Sequence, residues 1–238
     1  MNLLAITDRL SAELAGQQFG PPVELVYRPL VYARPMWAEY VRRFGQATGR
    51  VLLVGMNPGP WGMTQTGVPF GEVAAVRSWL GLDVPFDPPP LQHPRVPIEG
   101  LACWRNEVSG QRVWGWAKAR YGSPERFFGQ FAVANYCPLC FIEPSGRNRT
   151  PDKLPKPERV PLEAACDRAL LATVTLLQPR LVVAIGVYAE ERARIALASA
   201  GVPIGRILHP SPANPMASRD WPAQIEAQLR GLGVAIPQ

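Results

Sequence analysis

Four short apolar runs, separated by segments with helical periodicity, limit the possible folds of this chain more than any other feature. The runs are Val51–Val54, Phe131–Ala134, Leu181–Ile185 and Arg206–Leu208 with its neighbours. The first three are continuously apolar, which is typical of strands covered on both faces. Strands that alternate with helices predict a parallel sheet with helices on both sides. We therefore expect an α/β fold: a three-layer α/β/α sandwich with a central, four-stranded, mostly parallel sheet.

The helical segments complete this prediction. The N-terminal segment, residues 1–14, contains acidic and basic residues, so we interpret it as an amphipathic helix and not as a secretory signal. No apolar run is long enough to cross a bilayer. The other predicted helices are Met36–Phe44, Gly71–Leu80, Pro161–Leu177, Tyr188–Ala200 and Trp221–Leu232.

Composition sets the class of protein. Hydrophobic residues make up 47% of the 238 residues and charged residues 18%, which is typical of a soluble globular protein; we expect one domain, residues 1–238. The formal net charge of +6 is compatible with an anionic partner. Four scattered cysteines favour a reducing, cytoplasmic environment over a disulfide scaffold. Nothing in the sequence requires more than a monomer.

The residues that follow the strands are the candidate site. Right-handed crossovers place the loops after parallel strands along one edge of the sheet, where ligands of open α/β sheets bind. Asn57 follows the first predicted strand, Asn135 ends or follows the second, and His209 follows the last. We therefore expect two carboxamides and one imidazole to meet in a single pocket.

The loop after the first strand, GMNPGPWGMTQTGVPFG at 55–71, contains no charged residue, and nearly half of it is Gly or Pro. Gly lets the backbone approach a ligand closely, and Pro stiffens the loop before the ligand arrives. The loop lacks the lysine of a phosphate-binding loop, and Pro58 and Pro60 each remove an N–H donor. We expect it to bind a flat, uncharged heterocycle, for which Phe70 offers a stacking face.

These segments resemble the motifs of the single-strand-selective monofunctional uracil-DNA glycosylases. The resemblance extends from about residue 35 to the C-terminus, and its first motif is long and specific. The segments that carry it are GMNPGPWGMTQTGVPFGEV, ANYCPLCF with the following PSGRNRTP, HPSPANP, EVSGQRVWGW and LVVAIGVYAEERAR.

The resemblance implies an enzyme that flips a damaged base out of DNA and hydrolyses its N-glycosidic bond, which initiates base excision repair. Uracil, and 5-substituted uracils such as 5-hydroxymethyluracil, are the implied substrates. His209 would donate a hydrogen bond to uracil O2 and so stabilise the departing anion. Asn57 would position the attacking water, and because an amide cannot accept a proton, we expect a moderate rate. The enzyme would be monofunctional and use no cofactor.

Further site residues come from the same resemblance. Asn135 would read the edge of the base and Phe70 would stack on it. The remaining residues around the base, on the side of its C5 atom, would be Met56, Gly59 and Met63.

DNA contacts are expected from two basic or proline-rich segments. Residues 145–159 carry five positive and two negative charges, and we expect this Pro-rich stretch to be poor in helix. Within it, Arg147, Arg149 and Lys153 are predicted to contact phosphates. The resemblance makes Ser211, Pro212, Ala213 and Asn214 the wedge that enters DNA. The family usually has Arg where this chain has Ala213, which puts strong insertion into a duplex in doubt.

Other interpretations of the same residues stay open. His209 and Asn135 could serve only backbone hydrogen bonding, Asn57 could be a turn former, and Phe70 could belong to the core. Cys137 and Cys140 could ligate a metal, but the other two cysteines lie singly, so no metal is expected. The alternative functions are a relative that prefers xanthine or hypoxanthine in DNA, a non-catalytic base-binding module, and an enzyme of free nucleosides. Single- and double-stranded DNA are both candidate partners, in the cytoplasm or, in a eukaryote, the nucleus.

Overall fold

The computed structural model describes residues 2–212, 217 and 219–237. Two short 3-10 turns cover Gly100–Ala102 and Pro151–Lys153. The strands are β1 Leu25–Tyr27, β2 Val51–Gly55, β3 Phe131–Asn135, β4 Cys140–Ile142, β5 Asn148–Arg149, β6 Leu181–Ile185 and β7 Ile204–Ile207. The helices are α1 Leu3–Leu14, α2 Pro29–Tyr32, α3 Arg34–Phe44, α4 Met63–Thr66, α5 Val73–Ser78, α6 Val108–Tyr121, α7 Pro124–Gln130, α8 Lys156–Leu177, α9 Val187–Ala196 and α10 Trp221–Gly231.

The central sheet has the order β3-β2-β6-β7, and all its strands are parallel. The chain leaves β2 toward β3 on one side and later returns to β6 on the other side of β2. This reversal opens a crevice at the carboxyl ends of the central strands, where ligands of such sheets bind. The α/β class and the four-stranded sheet are confirmed.

Helices cover both faces of this sheet. Neighbouring residues of each strand point to opposite faces, so each central strand contributes side chains to two core clusters. Leu53 and Val183 pack in the core cluster formed with α3, α5, α6, α7 and α10. Leu52 and Val182 pack in the opposite cluster, with α1, α8 and α9. The predicted three-layer arrangement is therefore confirmed, and the apolar strands are buried on both sides.

One prediction about the basic segment was wrong. Residues 156–159 are helical, because α8 begins at Lys156 and not at Pro161. The predicted helix began at Pro161, and proline is common in the first turn of a helix. Pro157 occupies that place instead, where the missing N–H costs no helical hydrogen bond, and Pro161 lies inside the helix.

Several elements were not predicted. A second, antiparallel sheet has the order β1-β4-β5, and its strands of three, three and two residues are too short for periodicity to reveal. Helices α6 and α7 were also missed. Buried side chains lie around much of α6, and Gly110 and Gly115 interrupt its pattern. Within the described residues, none of the helices has the length and apolar character needed to cross a bilayer.

Candidate active site

A cavity of about 360 Å³ opens where the central strands end at their carboxyl edge. It brings Asn57 and His209, which are far apart in the chain, to a common wall. The predicted site residues that line it are Met56, Asn57, Gly59, Met63, Phe70, Asn135, His209, Ser211 and Pro212. Ala213 and Asn214 lie outside the described residues.

The carboxamide of Asn57 has a defined orientation. Its Nδ2 donates to the carbonyl oxygen of Leu139 at 3.2 Å and to that of Pro58 at 3.3 Å. Since both partners are acceptors, the nitrogen must face them and the oxygen must face the other way. No described residue donates to Oδ1, so this acceptor is available to a water molecule in the cavity.

The imidazole of His209 is held as a hydrogen-bond donor. The backbone N–H of Ser211 donates to its Nδ1 at 3.1 Å. In a neutral imidazole the proton must then sit on Nε2. Burial lowers the pKa of His209 below its usual 6.5, so the neutral form predominates at pH 7.

Two residues support the His209 loop from outside. Gly186, at the end of β6, has a φ of +95°, and a Cβ there would lie 3.2 Å from the Cβ and Cδ2 of His209. Arg112, on α6, donates from Nη1 to the carbonyl oxygen of Pro210 at 2.6 Å. The imidazole is thus packed against bare backbone, and the next residue is tied to a helix.

Phe70 and Asn135 meet over Gly55, the last residue of β2. A Cβ on Gly55 would lie 2.5 Å from Oδ1 of Asn135 and 2.6 Å from Cζ of Phe70, so both side chains occupy the space that a larger residue would need. Phe70 itself has a φ of +53°, which is uncommon for a residue with a side chain. Its carbonyl accepts from Nε1 of Trp114 at 2.9 Å, which helps to hold this conformation.

Glu107 is a wall residue that sequence reasoning missed. Its carboxylate caps α6 by accepting the backbone N–H groups of Ser109 and Gly110, and it packs against Gly62. Burial raises its pKa above 4.5, partly offset by these hydrogen bonds. Little in the sequence signals this role, because α6 was not predicted and Glu is not among the preferred N-cap residues. Other unpredicted wall residues are Pro60, Trp61, Asn106, Val108, Ser109, Asn148 and Thr150.

The predicted phosphate contacts lie beside the cavity and not on its wall. Arg149 donates to a carboxylate oxygen of Glu143 at 2.8 Å and twice to the carbonyl of Lys153, at 3.0 and 2.7 Å. Lys153 forms an ion pair with Asp152 at 3.1 Å. Arg147 is exposed and has no carboxylate partner among the described residues. Phosphate binding by these three side chains stays a prediction.

The two motif cysteines are free, buried thiols. Burial raises the pKa of Cys140 to about 12, and its Sγ contacts Oδ1 of Asn148 at 3.6 Å. Among residues 2–212, 217 and 219–237, no three His, Cys, Asp or Glu side chains are grouped closely enough to hold a metal ion.

Comparisons with known proteins agree with this architecture. A family model described as the uracil DNA glycosylase superfamily matches residues 42–232. The protein of Bos taurus named single-strand selective monofunctional uracil DNA glycosylase is 49% identical over 228 residues, which cover 95% of this chain and 84% of that protein. The protein of the same name from Mus musculus is 48% identical over 228 residues, which cover 95% of this chain and 82% of that protein.

A solved structure supports the fold independently. The crystal structure of SMUG2 from Pedobacter heparinus matches with a TM-score of 0.69 and 19% identity, covering 98% of this chain and 97% of that one. The chain belongs to the uracil DNA glycosylase superfamily and, within it, to the family of single-strand selective monofunctional uracil DNA glycosylases.

Proposed function

We propose that this protein is a monofunctional DNA glycosylase that hydrolyses the N-glycosidic bond of uracil in DNA and so initiates base excision repair. The observation that carries the proposal is the meeting of two groups in one cavity: an oriented amide oxygen on Asn57 and an Nε2–H donor on His209. Family membership supports the same activity.

The base enters the cavity only after it leaves the DNA stack, because its reactive atoms are inaccessible within a duplex. Phe70 offers an aromatic face to the flipped ring, and Asn135 offers an amide to its edge. Met56, Gly59 and Met63 line the same space. The wall is neutral apart from Glu107, which suits an uncharged pyrimidine.

Departure of the base is the step that His209 assists. The C1′–N1 bond breaks and its electron pair passes to the base, so negative charge develops on uracil O2. A hydrogen bond from Nε2–H of His209 would stabilise that charge, and a donor fixed in advance needs no reorganisation during the reaction. Because the imidazole is neutral, it stabilises the anion as a donor and not as a cation.

Attack by water is the step that Asn57 assists. Its Oδ1 accepts a hydrogen bond from the water, whose oxygen forms the new bond to C1′ while a water proton is released to solvent. An amide orients water but cannot take up the proton, so most of the rate enhancement must come from leaving-group stabilisation. No lysine is among the described wall residues, which supports hydrolysis without a Schiff base and without strand cleavage.

The proposed substrate range includes 5-hydroxymethyluracil. Met56, Gly59 and Met63 line the side of the cavity expected to face C5, and none of them has a β-branched side chain that would exclude a substituent on C5. We propose that a monomer acts on both single- and double-stranded DNA.

Labelled oligonucleotides test the proposal directly. Strands carrying uracil, 5-hydroxymethyluracil, xanthine or hypoxanthine, each single- and double-stranded, are incubated with the protein and then treated with alkali. We expect cleavage after alkali for the two pyrimidines and no break without alkali. Release of xanthine or hypoxanthine in preference to uracil would support the alternative substrate class. No release from any lesion would overturn the enzyme proposal.

Variants assign the roles. Asn57→Ala and His209→Ala should each lower the single-turnover rate of base release by about 100-fold or more while DNA binding is retained. His93→Gln is the matched control, because His93 is the other histidine and does not line the cavity. Equal rates in all four proteins would remove both residues from the mechanism.

A further inference from the structure

The most exposed large apolar side chain in the described part of the protein lies next to the active-site cavity. Trp104 is 77% exposed, more than any other large apolar residue with a described surface. Two residues further along, Asn106 is part of the cavity wall. An indole left in water contributes little to folding, but a single exposed apolar residue is common on protein surfaces. What distinguishes Trp104 is its place beside the cavity and beside Arg105.

Arg105 connects Trp104 to the cavity. Its guanidinium carbon lies 4.3 Å from the ring centroid of Trp61 and 5.5 Å from that of Trp104. Trp61 is itself a wall residue of the cavity. The three side chains therefore form one continuous surface, here called the tryptophan–arginine surface, that runs from the cavity outward.

The charge on this surface is unpaired. Within the described residues, the guanidinium of Arg105 makes no ion pair and no side-chain hydrogen bond, and it lies against two aromatic rings. A guanidinium that contacts rings through its face keeps its N–H donors at the edge, where they fit a phosphate. An exposed aromatic ring beside a free cation is the combination with which proteins bind unpaired nucleic acid strands.

We propose that the tryptophan–arginine surface binds the nucleotide next to the flipped base, with its base stacked on Trp104 and a phosphate held by Arg105. This rests on the proposed function, because it takes the flipped base to be in the cavity. Stacking on Trp104 requires a neighbouring base that is not engaged in a duplex. The surface therefore favours single-stranded over double-stranded substrate, and it supplies a physical cause for such a preference in this chain.

A binding measurement tests the surface without requiring catalysis. Fluorescence anisotropy is measured with a labelled single strand that carries one 2′-fluoro-2′-deoxyuridine, whose glycosidic bond resists hydrolysis. Trp104→Ala should weaken binding about 5- to 20-fold, at the lower end of the range for base stacking on an aromatic ring. Trp104→Phe should lose less than Trp104→Ala. Ile195→Ala, which truncates another exposed apolar residue, on α9, should bind like the parent protein.

A spacer series identifies the stacked base. Abasic tetrahydrofuran units replace, one at a time, the two nucleotides on each side of the uridine. At the stacked position the effect of Trp104→Ala should shrink to less than twofold, because the base is already absent; at the other positions it should persist. On a duplex the effect should also be smaller. Arg105→Gln should reduce the salt slope of single-strand binding by about 0.7.

The failures of the two proposals are distinguishable. If Trp104→Ala binds every strand as tightly as the parent protein, or loses the same affinity at every spacer position, the surface does not stack a base. Either result would leave base release from uracil-containing DNA, and hence the proposed function, untouched. If the parent protein releases no base, the glycosylase proposal fails, and the spacer series still reports on strand binding.

Discussion

The floor and the rim of the cavity differ in how their side chains are held. The floor, formed by Gly55, Asn57, Phe70, Asn135 and His209, is fixed by protein contacts. Nδ2 of Asn57 faces a carbonyl oxygen, and Nδ2 of Asn135 faces a thioether sulfur. The imidazole of His209 accepts a backbone N–H, and the ring of Phe70 packs against the bare backbone of Gly55. Each of these groups has little freedom before a substrate arrives.

The rim, formed by Trp104, Arg105 and Arg147, has few such contacts. Trp104 and Arg147 are exposed, and neither arginine has a carboxylate partner among the described residues. Rigid placement suits groups that must stabilise a developing charge, whereas unpaired cations and an open ring suit a flexible polyanion. We infer that changes at the floor alter the rate of base release and that changes at the rim alter strand binding.

Among the changes that test this comparison of floor and rim, the largest effect is expected at Gly55. Gly55→Ala places a methyl group in the space that the Asn135 and Phe70 side chains occupy. Because the backbone of Gly55 is held by pairing with β3, these side chains must move. A displacement of about 1 Å in a positioned group can cost 100-fold in rate, and we expect about that loss in the single-turnover rate constant on uracil-containing DNA.

The matched control for this change is Gly115→Ala. A Cβ at Gly115, on α6, meets nothing within 4 Å, so this substitution should leave base release unchanged and should stabilise the helix by about 0.5–1 kcal/mol. If Gly55→Ala kept the parental rate, the close packing of the floor would be irrelevant to catalysis.

A smaller effect is expected at Arg112. Arg112→Ala removes the donor to the Pro210 carbonyl, so the loop that follows His209 loses one tie. A hydrogen bond to a charged group is worth about 1.5–3 kcal/mol, and we expect about a tenfold fall in kcat with little change in KM. Arg126→Ala, at an exposed arginine on α7, is the control. A rise in KM with kcat unchanged would instead place Arg112 in strand binding.

The pH dependence of the rate tests the state of His209. Its pKa lies below 6.5, so at pH 6 about a quarter or more of the imidazole is still neutral and the rate should fall by at most about fourfold. Protonation would put a proton on Nδ1, which now accepts the Ser211 N–H, and would break that bond. We therefore expect a flat profile above pH 7 and a fall in acid. A rate that rises on acidification would mean that the imidazolium is the active form.

The same shift affects stability. Because the folded pKa is lower than the unfolded one, the unfolded state takes up the proton first as the pH falls. The free energy of unfolding should therefore decline from about pH 6.5 downward, until the folded imidazole also becomes protonated. Chemical denaturation at several pH values, compared with His209→Gln, measures this contribution.

The sequence was sufficient for the central sheet and most of the floor. Strand ends at a parallel sheet edge bring Asn57, Asn135 and His209 together whatever the details of the helices. What it did not reveal were features created by tertiary contact. The role of Gly186 appears only when His209 packs on it, and Arg112 is on a helix whose pattern was not recognised.

The basic segment, residues 145–159, shows the same limit of sequence analysis for charged side chains. Counting charges gave Arg147, Arg149 and Lys153 equal standing as phosphate contacts. The structure distinguishes them. The N–H donors of the Arg149 side chain bind Glu143 and the Lys153 carbonyl, whereas the Arg147 side chain makes no such bonds among the described residues. Local charge is readable in a sequence, but the partner that neutralises it comes from folding.

The difference between Arg147 and Arg149 gives the smallest predicted effect. Arg147→Ala should weaken single-strand binding about two- to threefold and reduce the salt slope by about 0.7, as for the loss of one phosphate contact. Arg149→Ala should instead lower the free energy of unfolding by about 1 kcal/mol, since it removes three hydrogen bonds that brace residues 143–153. Titrations at several salt concentrations and urea unfolding of both variants separate the two outcomes. A salt slope that changes only in Arg149→Ala would mean that Arg149 leaves its internal partners to bind DNA, and the contrast between a fixed floor and an unpaired rim would then not extend to this segment.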